Sequence, residues 1–437
     1  MTDIVNPSVL PGFMELLPED QLVFNKMREI IEKNFIKYGF FPLDTPVIEK
    51  EEVLLSKGGG ETQKQIFKID KQSRKQALRF DLTVPLARYV ALNANELSFP
   101  FRRYQIGKVY RGERNQRGRY KEFYQCDIDI IGNEKLGIYN DAEIPAVIYS
   151  VFRDMNFTDL QFHLNNRKLL NGFFESLGIE DMEASLRAID KLAKIGEDKV
   201  REELLEAGLN DGQINEIYKF IKDRESNQEV LELLDSYEIE NELFKTGLEE
   251  LKTVYEYMQK FGIPEDNIRL NLSITRGLDY YTGTVYETFL VGYESIGSVC
   301  SGGRYEDLAS NFTKQKYPGI GLSIGLTRLY YQLNEAGLLN FMGDKGYIRA
   351  LVIPMDESNL DYSIDVVDSL RKLDIRSQIY TEKAKMKKKF QYADRINADY
   401  AVIIGESEME ENKVSLRNMK TGEQEIIDKE KLGDFLK

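Results

Sequence analysis

Apolar positions along the chain change their period several times, and each change marks an element. In residues 20–38, Leu22, Val23, Met27, Ile30, Ile31, Asn34 and Phe35 fall near helical spacing, the mark of an amphipathic helix that Gly39 would close. Residues 40–48 carry Pro42 and Pro46, which forbid a helix and suit the margin of a sheet. A short strand is expected to run into Asp81, with a helix starting near Thr83 and Pro85 in its first turn. Residues 101–109 and 122–131 read as two strands of a hairpin whose long polar tip begins at Arg111. Residues 140–154 read as a helix. Residues 171–261 are dominated by Ala, Leu, Glu and Lys at helical spacing, which predicts an inserted helical subdomain. Strands return at 268–274, 284–291 and 298–300, and 319–332 reads as a strand running into a helix. The pattern breaks at 340–346, taken as a linker. Beyond it, strands at 347–354, 376–380 and 400–404 alternate with helices at 358–373 and 384–396, and Thr421-Gly422 marks a hairpin turn. Such alternation predicts a small α/β domain with a mainly parallel sheet.

At 437 residues the chain calls for two or three domains, and 42% hydrophobic with 30% charged residues places it in the soluble globular class. No run of 18 or more apolar residues predicts a membrane span. The start, MTDIVNPSVL, resembles neither a secretory signal nor a transit peptide, so a cytoplasmic location is expected. Cys126 and Cys300 lie too far apart for a disulfide framework or a zinc spacing and read as buried small apolar residues. His163 is the single histidine, which excludes a multi-histidine metal site and requires any Ser-His-Asp or Cys-His mechanism to use it. Its apolar-rich surroundings at 160–164 mark it as structural.

The formal charge of −14 argues against a polyanionic partner until its distribution is considered. Residues 181–260 hold 21 acidic and 11 basic side chains, whereas 101–121 hold 8 basic and 1 acidic. Local field decides such encounters, so the hairpin could still meet a polyanion. Arg111, Arg114, Arg117 and Arg119 crowd its tip beside Glu113. They form either a solvated surface turn or a phosphate site, since guanidinium groups pair bidentately with phosphate oxygens. Thr275-Arg276-Gly-Leu-Asp-Tyr280-Tyr281-Thr-Gly283 packs directional hydrogen-bonding groups into a segment expected at a strand end, where binding residues often lie. Ser301-Gly302-Gly303-Arg304 would let a ligand approach the backbone. The glycines of 319–325 with Arg328 suit a strand packed beneath a nucleotide, but they lack dinucleotide-fingerprint spacing.

Taken in this order, the segments resemble the class II aminoacyl-tRNA synthetases, and among them the histidyl-tRNA synthetase family. The edge around Pro46 resembles the class's first motif, Tyr110-Arg-Gly-Glu through Phe123-Tyr-Gln the second, and Gly325-Leu-Thr-Arg328 the third. Arg276-Gly-Leu-Asp-Tyr-Tyr and Gly302-Gly-Arg-Tyr resemble two segments peculiar to the histidine enzymes. The resemblance covers nearly the whole chain. It implies an α+β catalytic domain built on an antiparallel sheet, in two parts at 1–170 and 264–338. It also implies a helical insertion at 171–263 and a C-terminal α/β anticodon-binding domain at 346–437.

The resemblance implies roles as well. Arg111 and Arg276 would act on the α-phosphate during catalysis and also contact the amino acid. Glu113, Arg119, Phe123 and Arg328, with Arg111, would hold ATP, and Mg2+ is expected with it. Asp81 and Thr83 would take the ammonium group of L-histidine. Gln125, Asp129 and Tyr281, with Tyr280 nearby, would read its side chain, whose two ring nitrogens must both be satisfied. The first motif implies a homodimer, and histidine tRNA is the implied partner, with no membrane involved. Thr327 stands where the third motif usually carries a Glu that often helps hold metal on ATP, and Asp81 where some members have Glu. Lys387, Lys388 and Lys389 form either a solvated face or a tRNA phosphate contact. The alternative to a ligase is a synthetase-like regulatory paralogue that makes no aminoacyl-tRNA, a class that tends to lose the segment at 276–281 and the C-terminal domain, both present in this sequence.

Overall fold

The computed structural model of the chain describes residues 4–56, 65–71, 74–112, 118–275, 280–339 and 347–437. The chain divides into two compact units, Met1–Phe341 and Met342–Lys437. Among the described residues, no helix is long and apolar enough to cross a membrane.

The first unit opens with the helix Pro18–Lys37, which begins two residues before the expected start because Pro18 occupies its first turn. Its buried stripe is Phe24, Met27, Ile31, Asn34 and Phe35. The strands that follow are β1 (Phe41–Pro42), β2 (Ile48–Lys50), β3 (Lys68–Lys71), β4 (Arg74–Leu78), β5 (Phe101–Tyr110), β6 (Glu122–Ile131), β7 (Leu160–Asn166), β8 (Ile268–Leu270), β9 (Thr284–Leu290), β10 (Cys300–Tyr305) and β11 (Gly319–Gly325). Among the described residues, eight of them form one sheet in the order β1-β5-β6-β11-β10-β9-β7-β8, and β2, β4 and β3 form a small one. The large sheet is antiparallel from β5 to β7, while its edge pairings β1–β5 and β7–β8 are parallel. The helix Tyr139–Asp154 packs beneath it, joined to the N-terminal helix by Asn34 Nδ2 to Asp154 Oδ2 at 3.0 Å.

Several strand boundaries differ from the sequence reading, such as that of β12, which starts at Ala350 and not at 347, and two of the differences have a clear cause or consequence. β8 stops at Leu270 because the Asn271 side-chain oxygen accepts from the Ser273 N–H and hydroxyl and turns the chain. The next difference bears on the site: β10 runs to Tyr305, so Ser301-Gly-Gly-Arg is strand and not loop.

The helical segment reads as expected, from Arg167–Ser176 to Glu242–Lys260. Asp181, Asn210, Ser226 and Asn241 cap its helices by accepting backbone N–H groups. Its apolar stripes are not a separate core. Phe173, Phe220, Phe244 and Leu251 join one continuous cluster with Phe162, Ile128 and Leu322 of the sheet. The crossing of its first and last helices is close, since a Cβ on Gly247 would lie 2.2 Å from the Leu169 backbone nitrogen.

The second unit holds β12 (Ala350–Pro354), β13 (Ser377–Ile379), β14 (Tyr400–Ile404), β15 (Lys413–Asn418) and β16 (Gln424–Asp428), in the order β13-β12-β14-β15-β16. The helices Leu360–Lys372 and Met386–Arg395 make the crossovers. Two pairings are parallel, β12 with β13 and with β14, and two are antiparallel. The sheet is therefore mixed rather than mainly parallel, because the turn at Gly422 (φ +76°) folds the last two strands into a hairpin.

Candidate active site

Strand alternation gives the large sheet an apolar and a polar face. Cys126, Ile128, Ile130, Ile320, Leu322, Ile324 and Cys300 are buried in the main core; both cysteines are free, and Cys300 also borders the cavity. The polar residues align across the strands in rows. One row reads Gln105, Asp127, Ser323, Ser301 and Glu287 from β5 to β9. The next reads Arg103, Asp129, Gly321 and Gly303.

A cavity of about 440 Å³ opens above this face. It brings together Asp81, Thr83, Arg111, Arg119, Phe123, Gln125, Tyr280, Tyr281 and Arg328, all expected from the sequence. Asp81 and Thr83 reach it from the start of the helix Thr83–Asn93, where Asp81 Oδ1 accepts the Val84 N–H at 3.2 Å. Arg111 donates from Nε to the Phe80 carbonyl at 3.0 Å, and its guanidinium lies 5.1 Å from the Phe123 ring centre. Arg328 donates to the Ile296 carbonyl at 3.3 Å. Tyr280 and Tyr281 meet edge to face at 4.9 Å. Glu113, Arg114, Arg117 and Arg276 lie outside the described residues.

Asp129 is not on the cavity wall. Its Oδ2 lies 2.6 Å from Arg103 Nη2, and its Oδ1 accepts the Tyr305 hydroxyl at 2.9 Å. Arg103 is completely buried, a placement tolerated because its charge is paired there. The glycines explain how these groups fit. A Cβ on Gly321 would lie 2.2 Å from Asp129 Oδ1, and one on Gly319 2.5 Å from the Tyr305 ring. On Gly303 it would lie 3.1 Å from the Tyr281 ring, and on Gly302 2.0 Å from the Gly321 carbonyl oxygen. These glycines make room for protein neighbours, while Gly302 and Gly325 also line the cavity.

Ser301, from the segment singled out in the sequence, lines the cavity too, and so do Asp127, Glu287, Ser323 and Gln332, which were missed. Alternation along β6 could have found Asp127, which lies between Gln125 and Asp129 on the same face. Glu287 and Ser323 needed the pairing register. Thr327 faces away, its hydroxyl accepting the Tyr124 N–H at 2.8 Å. Among the described residues no group of three or more His, Cys, Asp and Glu could hold a metal ion by itself.

The floor is electrostatically tense. Burial pushes the Asp81 carboxyl up to about 6, against the pull of the Val84 N–H, Arg111 and Arg103. Burial pushes Asp127 up to about 7, opposed by Arg103 and the Ser323 hydroxyl and reinforced by Asp129 and Asp81. Asp129 is also raised by burial, with Arg103 opposing. Burial lifts both tyrosine hydroxyls well above their ordinary value, so they remain donors. Asp81 Oδ2 and Gln125 Oε1 are buried without a hydrogen-bond partner among the described residues.

His163 stands apart from the cavity on β7. Its Nδ1 accepts the Asn271 amide at 3.0 Å and its Nε2 faces Gln161 Oε1 at 2.9 Å. In the second unit Lys387 and Lys388 are exposed on their helix. Lys389 is not part of that surface: it is 4% exposed, and its Nζ donates to the Pro354 carbonyl at 2.6 Å. Helical geometry turns it inward to satisfy the end of β12.

Comparison with known proteins extends this picture to the whole chain. A family model described as histidyl-tRNA synthetase matches residues 12–329, and one described as anticodon binding domain matches 349–437. The histidine–tRNA ligase of Clostridium tetani is 55% identical over 435 residues, covering 100% of this chain and 99% of that protein. That of Finegoldia magna is 54% identical over 436 residues, covering 99% and 100%. The crystal structure of histidyl-tRNA synthetase from Nostoc sp. PCC 7120 superposes with a TM-score of 0.89 at 39% identity, covering 99% of each chain. With two family models, relatives more than half identical and a superposable fold along its length, this chain belongs to the histidyl-tRNA synthetase family.

Proposed function

We propose that this chain activates L-histidine with ATP, forming histidyl-adenylate and pyrophosphate, and passes the histidyl group to the 3′ end of histidine tRNA. The observation that carries this reading is the division of the cavity. Open buried acceptors, Asp81 Oδ2 and Gln125 Oε1, share it with Arg111, Arg119 and Arg328. An amino acid's ammonium suits the acceptors, which assigns Gln125 to the ammonium rather than to the side chain as the resemblance implied, and its carboxylate and a polyphosphate suit the guanidiniums.

In the first step a carboxylate oxygen of histidine attacks the α-phosphorus, and the bond to the pyrophosphate oxygen breaks. Negative charge grows on the phosphoryl oxygens, so a fixed cation stabilises the transition state more than the ground state. Arg111 is proposed for that role, and Arg276 with it on its sequence context. Phe123, Arg119 and Glu113 are proposed to hold the nucleotide, and Arg328 the far phosphates. The step transfers no proton, which accords with the only histidine lying outside the cavity. Mg2+ would enter with ATP, neutralising the phosphates. Glu287 gives the wall a carboxylate in register with Ser301, and such oxygen donors suit this ion.

For the imidazole, Tyr281 on the cavity wall is proposed to satisfy one nitrogen, and Asp129, which lies behind that wall, the other once the wall side chains shift. Each Asp129 oxygen has one partner, and a carboxylate oxygen can accept a second. Lys387 and Lys388 are proposed to contact tRNA phosphates. Phe41, Val47 and Ile48 are exposed around Pro46, which supports a homodimer through the first-motif edge. A monomer by light scattering at micromolar concentration would remove that assignment.

The deciding experiment is amino-acid-dependent exchange between ATP and pyrophosphate, run with each of the twenty amino acids. Exchange with histidine alone is expected. Folded protein that exchanges with none would put the regulatory reading in its place.

A further inference from the structure

We infer that Ser323 is a positioning residue: its hydroxyl proton, committed to Asp127, fixes the side-chain amide of Gln125 so that the amide oxygen faces the cavity and accepts from the substrate's ammonium group. The inference rests on the proposed binding of histidine.

Gln125 Nε2 lies 2.9 Å from Ser323 Oγ, and Ser323 Oγ lies 2.5 Å from Asp127 Oδ1. A hydroxyl has one proton, and an ionised carboxylate only accepts. At pH 8 and above, where Asp127, raised to about 7, is ionised, the proton therefore goes to Asp127, and Ser323 can only accept from Gln125. An amide has nearly the same shape either way round, so shape alone does not orient it. Nothing else in its row can, because Gln125 stands between Gly107 on β5 and Gly325 on β11.

With the nitrogen held by Ser323, Oε1 is left buried and open, as Asp81 Oδ2 is. A buried acceptor without a donor is unfavourable until one arrives. An ammonium brings three donors, and Asp81, Gln125 and the Thr83 hydroxyl on the same cavity wall can accept them. The reversed amide would turn its NH2 group against the ammonium. Ser323 thus sets the sign of the Gln125 interaction without touching the substrate.

The test compares full-length wild type and Ser323→Ala in binding two ligands by calorimetry. One is L-histidine; the other is 3-(imidazol-4-yl)propionate, the same molecule without its ammonium. In Ser323→Ala, histidine affinity is expected to fall about tenfold, with the propionate within about twofold, in protein shown to be folded at the assay temperature. In a Gln125→Met background, adding Ser323→Ala should change histidine binding no further. Equal weakening of both ligands, histidine binding within twofold of wild type, or additive losses would each overturn the relay. Wild-type protein that binds neither ligand would instead overturn the histidine reading, before any variant is measured.

Discussion

Asp81→Asn separates binding from stability. The substitution keeps an acceptor for the Val84 N–H and changes one atom of the carboxylate into an NH2 group. If that group takes the place of Oδ2, a charge-assisted hydrogen bond to the substrate ammonium is lost. Such bonds contribute about 1.5–3 kcal/mol, so kcat/KM for histidine should fall roughly 10- to 150-fold. The ammonium is held alike in ground and transition states, so the loss should appear in KM and not in kcat. Stability should move the other way. Burial raises the folded carboxyl from 3.8 to about 6, so at pH 8 the fold holds an ionised group that it disfavours. That strain is absent below the unfolded value and grows as pH rises through about 6. Removing the charge should therefore leave the variant at least as stable at pH 8, by up to the order of 2 kcal/mol, with the advantage vanishing toward pH 4. The assays are pyrophosphate exchange with histidine titrated at saturating ATP, and urea unfolding at both pH values. A histidine KM within twofold of wild type, a matching rise in the KM for ATP, or a clear loss of stability at pH 8 would refute the reasoning.

His163 is held neutral by burial and by Arg269, with its value lowered from 6.5 to about 4. Its contribution to stability is complete above 6.5 and is lost as pH falls through about 4; 15N imidazole shifts should stay flat from pH 8 to 5, and a midpoint near 6.5 would contradict this. Arg103→Met strips the counter-ion from Asp129 and its two buried neighbours, so urea unfolding at pH 8 should show a loss of about 3–5 kcal/mol. A loss below about 1 kcal/mol would show that the pair is not needed to hold the carboxylates. Lys389→Ala leaves the Pro354 and Met355 carbonyls without their donor and should destabilise the protein by about 1–3 kcal/mol. Lys387→Ala should leave the unfolding midpoint unchanged while weakening tRNA binding; the reverse pattern would exchange their roles.

The strands and helices were legible where period was strong and uninterrupted, as in β5, β6 and the capped helices of the insertion. The cavity residues were legible where they fell in dense polar segments, which is how Arg111 and Tyr281 stood out, and Arg328 stood out by the glycine-spaced run before it. Asp127 was legible only through the alternation of β6, and Ser323 and Glu287 were not, because each stands alone among apolar or small neighbours in its strand. They gain meaning only when β6, β11, β10 and β9 align, and register between strands distant in sequence is not written locally. Asp129 shows the same limit from the other side: its face could be read, but its engagement by Arg103 and Tyr305 could not. Lys389 failed for a related reason, since a run of lysines does not say which one a helix turns inward.

The placement of His163, pinned between two amides and away from the cavity, bears on how the protein is made. A ligase that used imidazole for its own catalysis would need its product for at least one further codon. This chain needs histidyl-tRNA once per copy, at position 163. Ribosomes short of that one charged tRNA would pause at a single codon while making the proposed supplier of it, so the supply can recover from a low level.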